Sequence, residues 1–418
     1  MLKALGQRDF ALLWGGGLVS MMGNWVLFIA LPFYVYHITG SALATGMMFM
    51  MSTLPRVLLG PLAGVFADRW DRKRTLVITN LLLSLILLPL LAVRSAEHLW
   101  IVYLVAMLEA SIAQFVGPAE HALLPRLVGE EHLMPANALN ALNNNLAMLI
   151  GPPLGGALME RLGLTMVVVV DSGSYVLAAL LVALMKHTPQ SGADPSSTAG
   201  PPQRATRAAN WINVWREWRD GLRLVTHDRV IAALFVTTGM VAVGEGIFTV
   251  LLLPFLHVFG GGAQEFGWLA TLRGVGGLLG GLIVGQIHGG VQSRHLFPLS
   301  LLLAGMLGLL MFNIPMLELT MTMLFLWGLP ATGAQVSAQT VIQRHIPDQY
   351  QGRVFASYGT AAAILLLCGQ GLASVFGDYV GVIPLLNIDA GLYVAAGVVA
   401  LARMRSLNTR EQARIGER

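Results

Sequence analysis

Long apolar stretches follow one another along the chain, and short polar segments separate them. A helix needs about 20 apolar residues to cross a hydrocarbon layer of about 30 Å, so each stretch is long enough to span a membrane. The predicted spans cover residues 10–37, 42–67, 75–93, 98–124, 137–161, 163–186, 229–258, 264–289, 295–313, 317–343, 353–377 and 382–403. We therefore predict an all-α polytopic membrane protein with twelve transmembrane helices.

One long polar segment separates the first six predicted spans from the last six. Residues 187–210 (HTPQSGADPSSTAGPPQRATRAAN) are rich in Pro, Ser and Gly, a composition typical of linkers. In residues 211–225, tryptophans and arginines fall on opposite faces of a helix, which favours a helix lying in the membrane interface over a solvated one. The predicted organisation is a six-helix bundle at 1–186, a linker with an interfacial helix at 187–228, a second six-helix bundle at 229–404 and a tail at 405–418.

Positive charge is distributed unevenly between the predicted loops. Of the 26 Lys and Arg residues, Arg94 and Arg161 fall in loops on one side, Arg56 and Arg273 fall within spans, and 22 lie on the other side. Cytoplasmic loops carry the excess of Lys and Arg, so both termini are predicted to be cytoplasmic. Basic loops of this kind also explain the basic composition without any nucleic-acid partner.

Composition and motifs exclude several other classes of function. The chain is 55% hydrophobic and 11% charged, and its mean hydropathy is +0.67. Its one cysteine, Cys368, allows neither an internal disulfide nor a cysteine-based metal site. No G-x-S-x-G, H-E-x-x-H or G-K-[ST] motif occurs, and the predicted outer loops are too short for a receptor's ligand domain. We expect no enzyme activity, no cofactor and no metal.

The dense charge cluster GVFADRWDRKR lies between the second and third predicted spans, at residues 64–74. It resembles the G-x-x-x-D-R-x-G-R-R/K loop of the major facilitator superfamily, with Asp71 in place of the second glycine. The resemblance implies a cytoplasmic latch that holds the two halves together while the outer side is open. A basic loop that only sets the topology is the alternative. The matching latch residues are Gly64, Asp68, Arg69, Arg72 and Lys73.

A second motif lies in the fifth predicted span, LIGPPLGGALMERLG at residues 149–163. Gly151, Pro152, Gly155 and Gly156 match the G-P-x-x-G-G element of the antiporter-type facilitators, which implies export rather than uptake. Ordinary close packing is the alternative, since proline kinks a helix and glycines let helices approach. The segments at 7–25, 125–156 and 341–356 further resemble the branch that contains macrolide efflux proteins and the enterobactin exporter.

Glycines also recur every four residues in the eighth predicted span, at Gly277, Gly281, Gly285 and Gly289. Small residues at this spacing form a groove in which a neighbouring helix packs. A nucleotide-binding loop would need a preceding strand, which the pattern does not predict.

Four charged residues within the spans are candidates for function. A charge at the centre of a membrane helix costs about 2.5–3.5 kcal/mol on insertion scales, so each is a functional hypothesis by default. Arg56 with Glu109, and Glu245 with Arg273, lie at matching depths and could pair; the superfamily resemblance places all four on cavity-lining helices. The two alternatives are structural ion pairs and a carboxylate that binds a proton reversibly.

Other polar residues within the spans have less distinctive patterns. Asn24, Gln114, Gln335 and Gln339 could contact a substrate or form hydrogen bonds between helices. Asp171 and Asp389 fall on the sixth and twelfth spans, which pack outside the cavity in the superfamily fold, so we assign them to packing or interfaces.

Together these features predict a secondary active transporter. The leading hypothesis is a monomeric exporter of amphipathic, macrolide-like or other drug molecules, driven by proton antiport through alternating access. A dedicated exporter of a siderophore or other metabolite, or a lysolipid transporter, is the alternative. The expected partners are a small-molecule substrate, protons and the lipid bilayer of a bacterial inner membrane.

Overall fold

A computed structural model describes residues 5–67, 70–186, 229–286, 290–314, 316–346 and 348–416. These residues form helices joined by short connections, and no strand occurs among them. The helices are α1 (Arg8–Thr39), α2 (Ala42–Ala67), α3 (Arg72–Leu87), α4 (Leu99–Ala113), α5 (Val116–Val128), α6 (Leu133–Ala183), α7 (Arg229–Val258), α8 (Ala263–Gln286), α9 (Gly290–Asn313), α10 (Leu317–His345), α11 (Asp348–Val380) and α12 (Val382–Gly416). Short 3₁₀ turns occupy Leu88–Ala92, Ala96–His98 and Glu130–His132.

Ten helical segments among the described residues are long and apolar enough to cross a membrane. Many large apolar side chains on their outward faces are exposed, including Leu85, Leu180 and Leu282. A lipid environment removes the cost of such exposure, which a water-soluble protein of this size would not tolerate. The predicted interfacial helix at 211–225 lies outside the described residues.

The helices differ from the predicted spans in two places. The fifth and sixth predicted spans form one 51-residue element, α6, in which Gly163 breaks the helix with φ 73° and ψ −179°. The fourth predicted span is divided into α4 and α5 by a turn at Gln114 and Phe115. The part of α6 before Gly163 is called its first arm, and the part after Gly163 its second arm.

The helices pack as two groups, α1 to α6 in the first half of the chain and α7 to α12 in the second half. In the first half α6 packs along α1 and α3, and α2 packs against α4. In the second half α7 packs against α11 and α12, while α10 packs against α8 and α9. Contacts between the halves run along two main seams, α2 with α11 and α6 with α8.

The glycines of the 149–163 motif allow two of these helix contacts. A side chain at Gly155 would collide with the backbone of Val26 in α1, and one at Gly156 with the backbone of Ala263 in α8. Pro152 in turn packs against Gly267 of α8. The motif therefore holds the first arm of α6 against its own half on one face and against the opposite half on the other.

Candidate functional site

A polar cluster lies among α1, α4 and the second arm of α6, with Asp171 and Tyr175 buried and Asn24 exposed. It consists of Asn24, Glu109, Asp171 and Tyr175 and is called the first-half cluster. The Tyr175 hydroxyl donates a hydrogen bond to Asn24 Oδ1. Glu109, Asp171 and Tyr175 lie within range of electrostatic interaction with one another. Two carboxyl groups thus share one site inside the helix bundle.

Asp171 is the most enclosed member of this cluster. Its side chain is 0% exposed, and Ser174 Oγ donates to its Oδ1 at 3.3 Å. Asp171 Oδ2 is buried and has no hydrogen-bond partner. Gly23 of α1 makes room for this carboxylate, since a Cβ there would collide with Asp171 Oδ1 and Ser174 Oγ.

A cavity of about 440 Å3 opens beside the first-half cluster. Glu109 and Asn24 line it, and the surrounding wall is mostly apolar and aromatic, with Trp25, Phe28 and Phe49 among its residues. Ligand sites are concave and largely apolar with few polar groups, and this cavity has that character.

The second half contains a corresponding cluster of Glu245, Arg273, Asp389 and Tyr393, called the second-half cluster. Arg273 Nη2 lies 2.6 Å from Glu245 Oε1, and the Tyr393 hydroxyl donates to Glu245 Oε2 at 3.3 Å. Asp389 is 5% exposed and interacts electrostatically with Arg273. The predicted Glu245–Arg273 pair is therefore present in the structure.

Two aromatic rings pack against the cation of this second-half cluster. The Arg273 guanidinium lies 4.4 Å from the centroid of the Trp327 ring and 5.2 Å from that of Phe248, both cation–π distances. The adjoining cavity, which Asp389 and Tyr393 also line, measures only about 10 Å3. The second-half site is thus filled by its own arginine and aromatic rings.

The two clusters are built from one repeated sequence element. Residues 171–175 read DSGSY and residues 389–393 read DAGLY, so both match D-x-G-x-Y. Each aspartate packs against a glycine of the first helix of its half, Gly23 or Gly244. Each tyrosine bonds the polar residue after that glycine, Asn24 or Glu245. The assignment of both aspartates to packing missed this repeat, although comparison of the two half-sequences could have found it.

The other candidate residues lie outside these clusters. Arg56 is exposed and forms no ion pair with Glu109, so the structure contains the second predicted pair only. Gln114 Nε2 bonds the Ala110 carbonyl at 3.2 Å within its own helix segment. Gln335 and Gln339 are exposed on α10.

Only part of the predicted cytoplasmic latch falls among the described residues. Gly64 lies within α2, and Asp68 and Arg69 lie outside the described residues. Arg72 Nη1 donates to the Ala122 carbonyl at 2.8 Å, and Lys73 Nζ donates to the Met185 carbonyl at 2.6 Å. Both basic residues thus bind backbone carbonyls of the first half, one in α5 and one just after α6.

Two carboxylates join the halves on the side where α1 ends and α2 begins, called the distal side. Asp378 at the end of α11 accepts hydrogen bonds from Ser41 Oγ at 2.8 Å and Ala42 N at 2.9 Å, at the start of α2. Glu160 in the first arm of α6 accepts from Gln264 N at 3.1 Å, at the start of α8. Each acid caps a helix N-terminus of the opposite half, where a negative charge is stabilising. This reciprocal pair of contacts is called the distal clasp.

Comparisons with known proteins agree with this architecture. A family profile described as Major Facilitator Superfamily matches residues 13–364 and 234–417. Macrolide efflux protein A of Streptococcus pyogenes is 25% identical, with 94% of this chain and 95% of the relative covered. The multidrug efflux pump Tap of Mycolicibacterium fortuitum is 26% identical, with 94% of this chain and 95% of the relative covered.

Solved structures share the fold at lower sequence identity. A bacterial homologue of the iron transporter ferroportin in its inward-facing state is 17% identical and has a TM-score of 0.69, with 95% of this chain and 98% of that chain covered. A structure of a bacterial ferroportin homologue in the outward-facing state has a TM-score of 0.59, with 94% of this chain and 99% of that chain covered. The chain therefore shares the fold of both structures, with the higher TM-score for the inward-facing one.

Proposed function

The chain belongs to the Major Facilitator Superfamily, and from this premise we propose that it exports amphipathic small molecules by proton antiport. Its family and structural neighbours are transporters rather than enzymes, and its many spanning helices make it a multi-pass protein of the bacterial inner membrane. Relatives named for macrolide and multidrug efflux support export. The observation that carries the proposal for this chain is the aromatic cavity with Glu109 in its wall.

The proposed topology has twelve spans with both termini in the cytoplasm. The two arms of α6 count as two spans, and α4 with α5 as one. The distribution of Lys and Arg supports this orientation. Residues 1–186 and 229–404 are then the two transport bundles, and residues 187–228 connect them.

Alternating access is the proposed mechanism of movement. In this topology the distal side is the outer side, so the distal clasp closes the outer end while the cavity opens inward. The better match to an inward-facing structure supports that assignment. The cytoplasmic latch at Gly64, Asp68, Arg69, Arg72 and Lys73 would then close the inner end in the opposite state.

The cavity favours a particular substrate chemistry. Glu109 is a carboxyl group in a wall that contains Trp25 and Phe28, and aromatic faces attract cations as well as apolar groups. We propose that amphipathic molecules bind there, with cationic ones favoured. Substrate and proton then compete for the same carboxyl region, which couples their opposite movements.

A growth screen tests this function. Cells of a drug-sensitive bacterial host expressing the chain should survive higher concentrations of some compounds, such as erythromycin or ethidium, than cells carrying an empty plasmid. An uncoupler should abolish the efflux of fluorescent ethidium, and Glu109→Gln should abolish it without lowering membrane expression. Equal sensitivity of expressing and empty cells across a broad panel would contradict drug export.

A further inference from the structure

The two repeat-related clusters differ in their balance of charge. In the second half, Arg273 is ion-paired with Glu245 and interacts electrostatically with Asp389, whose buried Oδ1, like Asp171 Oδ2, has no hydrogen-bond partner. In the first half, no described Lys or Arg forms an ion pair with Glu109 or Asp171. The D-x-G-x-Y element therefore lies beside an arginine, Arg273, in the second half, whereas the first-half cluster has no ion-paired cation among the described residues.

The groups that face Asp171 from the neighbouring helices supply no positive charge. α1 presents Asn24, and α4 presents Glu109. α3 presents Ser84, which is hydrogen-bonded to Ser172 beside the aspartate. On α6 itself the titratable group that interacts with Asp171 is Tyr175.

Another acid of this half, Glu120, also lies away from the cluster. Glu120 of α5 faces α1 at Gly17, where its Oε1 would be 3.8 Å from an added Cβ. Gly17 precedes Gly23 by six residues, roughly 9 Å along the helix axis. Glu120 is therefore separated from the carboxylate that packs against Gly23.

The size of the space around Asp171 limits what can neutralise it. The residue is fully buried, and its Oδ2 has no partner. Glu109, in contrast, lines the cavity of about 440 Å3. An organic cation can approach Glu109 through that cavity, but the enclosure of Asp171 leaves room for a proton alone. Burial of an unpaired carboxylate favours the protonated form, so a proton is also what the site needs.

We propose that Asp171 binds the exchanged proton and shares it with Glu109, while Arg273 keeps the second-half cluster out of the exchange. The proton comes from water on the outer side and returns to water on the inner side, so no other bond breaks and no cofactor is required. This assignment rests on the proposed antiport and narrows the proton site to the first half.

The direct test needs no transported substrate. Infrared difference spectra of the purified, full-length protein between acid and alkaline pH detect the carbonyl stretch of protonated carboxylic acids. We expect Asp171→Asn to remove such a band and the repeat-matched Asp389→Asn to retain it. Glu109→Gln should move the midpoint of the titration without abolishing it. An unchanged band in Asp171→Asn, or equal loss in Asp389→Asn, would overturn the assignment.

A transport measurement separates this assignment from the proposed function. In proteoliposomes, Asp171→Asn should lose ethidium movement driven by a pH gradient but retain ethidium counterflow, which a misfolded protein would not support. Asp389→Asn should retain both. If wild-type ethidium movement follows the pH gradient and Asp171→Asn is equally coupled, the antiport proposal stands and the Asp171 assignment fails. If the wild type ignores the gradient while the infrared result holds, antiport fails and the proton site stands.

Discussion

At the scale of single residues, Gly23 determines whether Asp171 can occupy its buried position. In Gly23→Ala the new methyl group would collide with Asp171 Oδ1 and Ser174 Oγ, so the carboxylate must move and the bond from Tyr175 to Asn24 weakens. Overpacking of this kind costs about 1–3 kcal/mol. We expect a lower melting temperature in detergent and loss of proton-coupled ethidium efflux.

Gly15→Ala is the matched control for this substitution. Gly15 lies in the same helix, and an added Cβ there meets nothing within 4 Å. We expect this variant to keep the wild-type melting temperature and efflux rate. Wild-type behaviour of Gly23→Ala would mean that the packing of Asp171 against α1 is unimportant.

The residue contacts also illustrate what depth along a helix can predict. Matching depth predicts that Glu245 pairs with Arg273, and these two residues lie 2.6 Å apart. The same reasoning paired Arg56 with Glu109, yet these two form no ion pair. Depth gives position along the helix but not direction around it, and only packing determines that direction. Depth does not reveal the role of Asp171 either, because no residue of α6 lines the cavity while the Asp171 side chain packs against Gly23 of α1.

At the scale of helices, Gly163 allows α6 to reverse direction between its two arms. Its φ of 73° with ψ of −179° belongs to a region populated almost only by glycine. Gly163→Ala therefore strains the backbone by roughly 1–3 kcal/mol although an added Cβ meets nothing within 4 Å. We expect a lower melting temperature in Gly163→Ala, while Gly173→Ala, at a helical and equally open position, should leave it unchanged. Equal melting temperatures would show that this turn tolerates other residues.

The helix bounds were largely predictable from apolar length, but the packing register was not. The pattern of α8 predicted a groove along Gly277, Gly281 and Gly285, whereas the closest backbone contacts with α10 occur at Gly276 and Gly280. Both sets repeat every four residues, so spacing alone cannot choose between them. The choice depends on which face of α8 meets Phe325 and Leu329, and that is set by the whole bundle.

At the scale of the whole molecule, the distal clasp should control which end of the cavity is open. Removing both acids, in Glu160→Ala with Asp378→Ala, leaves the N-termini of α8 and α2 without their caps from the opposite half. At about 1 kcal/mol for each cap, the ratio of inward-open to outward-open molecules should fall roughly thirtyfold. Spin labels at Arg94 and Ile314, one on the distal side of each half, should then report longer distances. Cys368 must first be replaced, since it is exposed and would also be labelled.

A carboxylate contact within one half provides the control for this experiment. Asp9 of α1 accepts hydrogen bonds from Lys186 N at 3.2 and 3.3 Å, a carboxylate–backbone contact that stays within the first half. Asp9→Ala should therefore remove a carboxylate–backbone contact while leaving the distal distance distribution as in the wild type. A clasp variant whose distances matched those of Asp9→Ala would show that the two capping acids do not hold the outer end closed. Lengthening confined to the clasp variant would instead show that two acids at symmetry-related seams bias the equilibrium of the whole transporter.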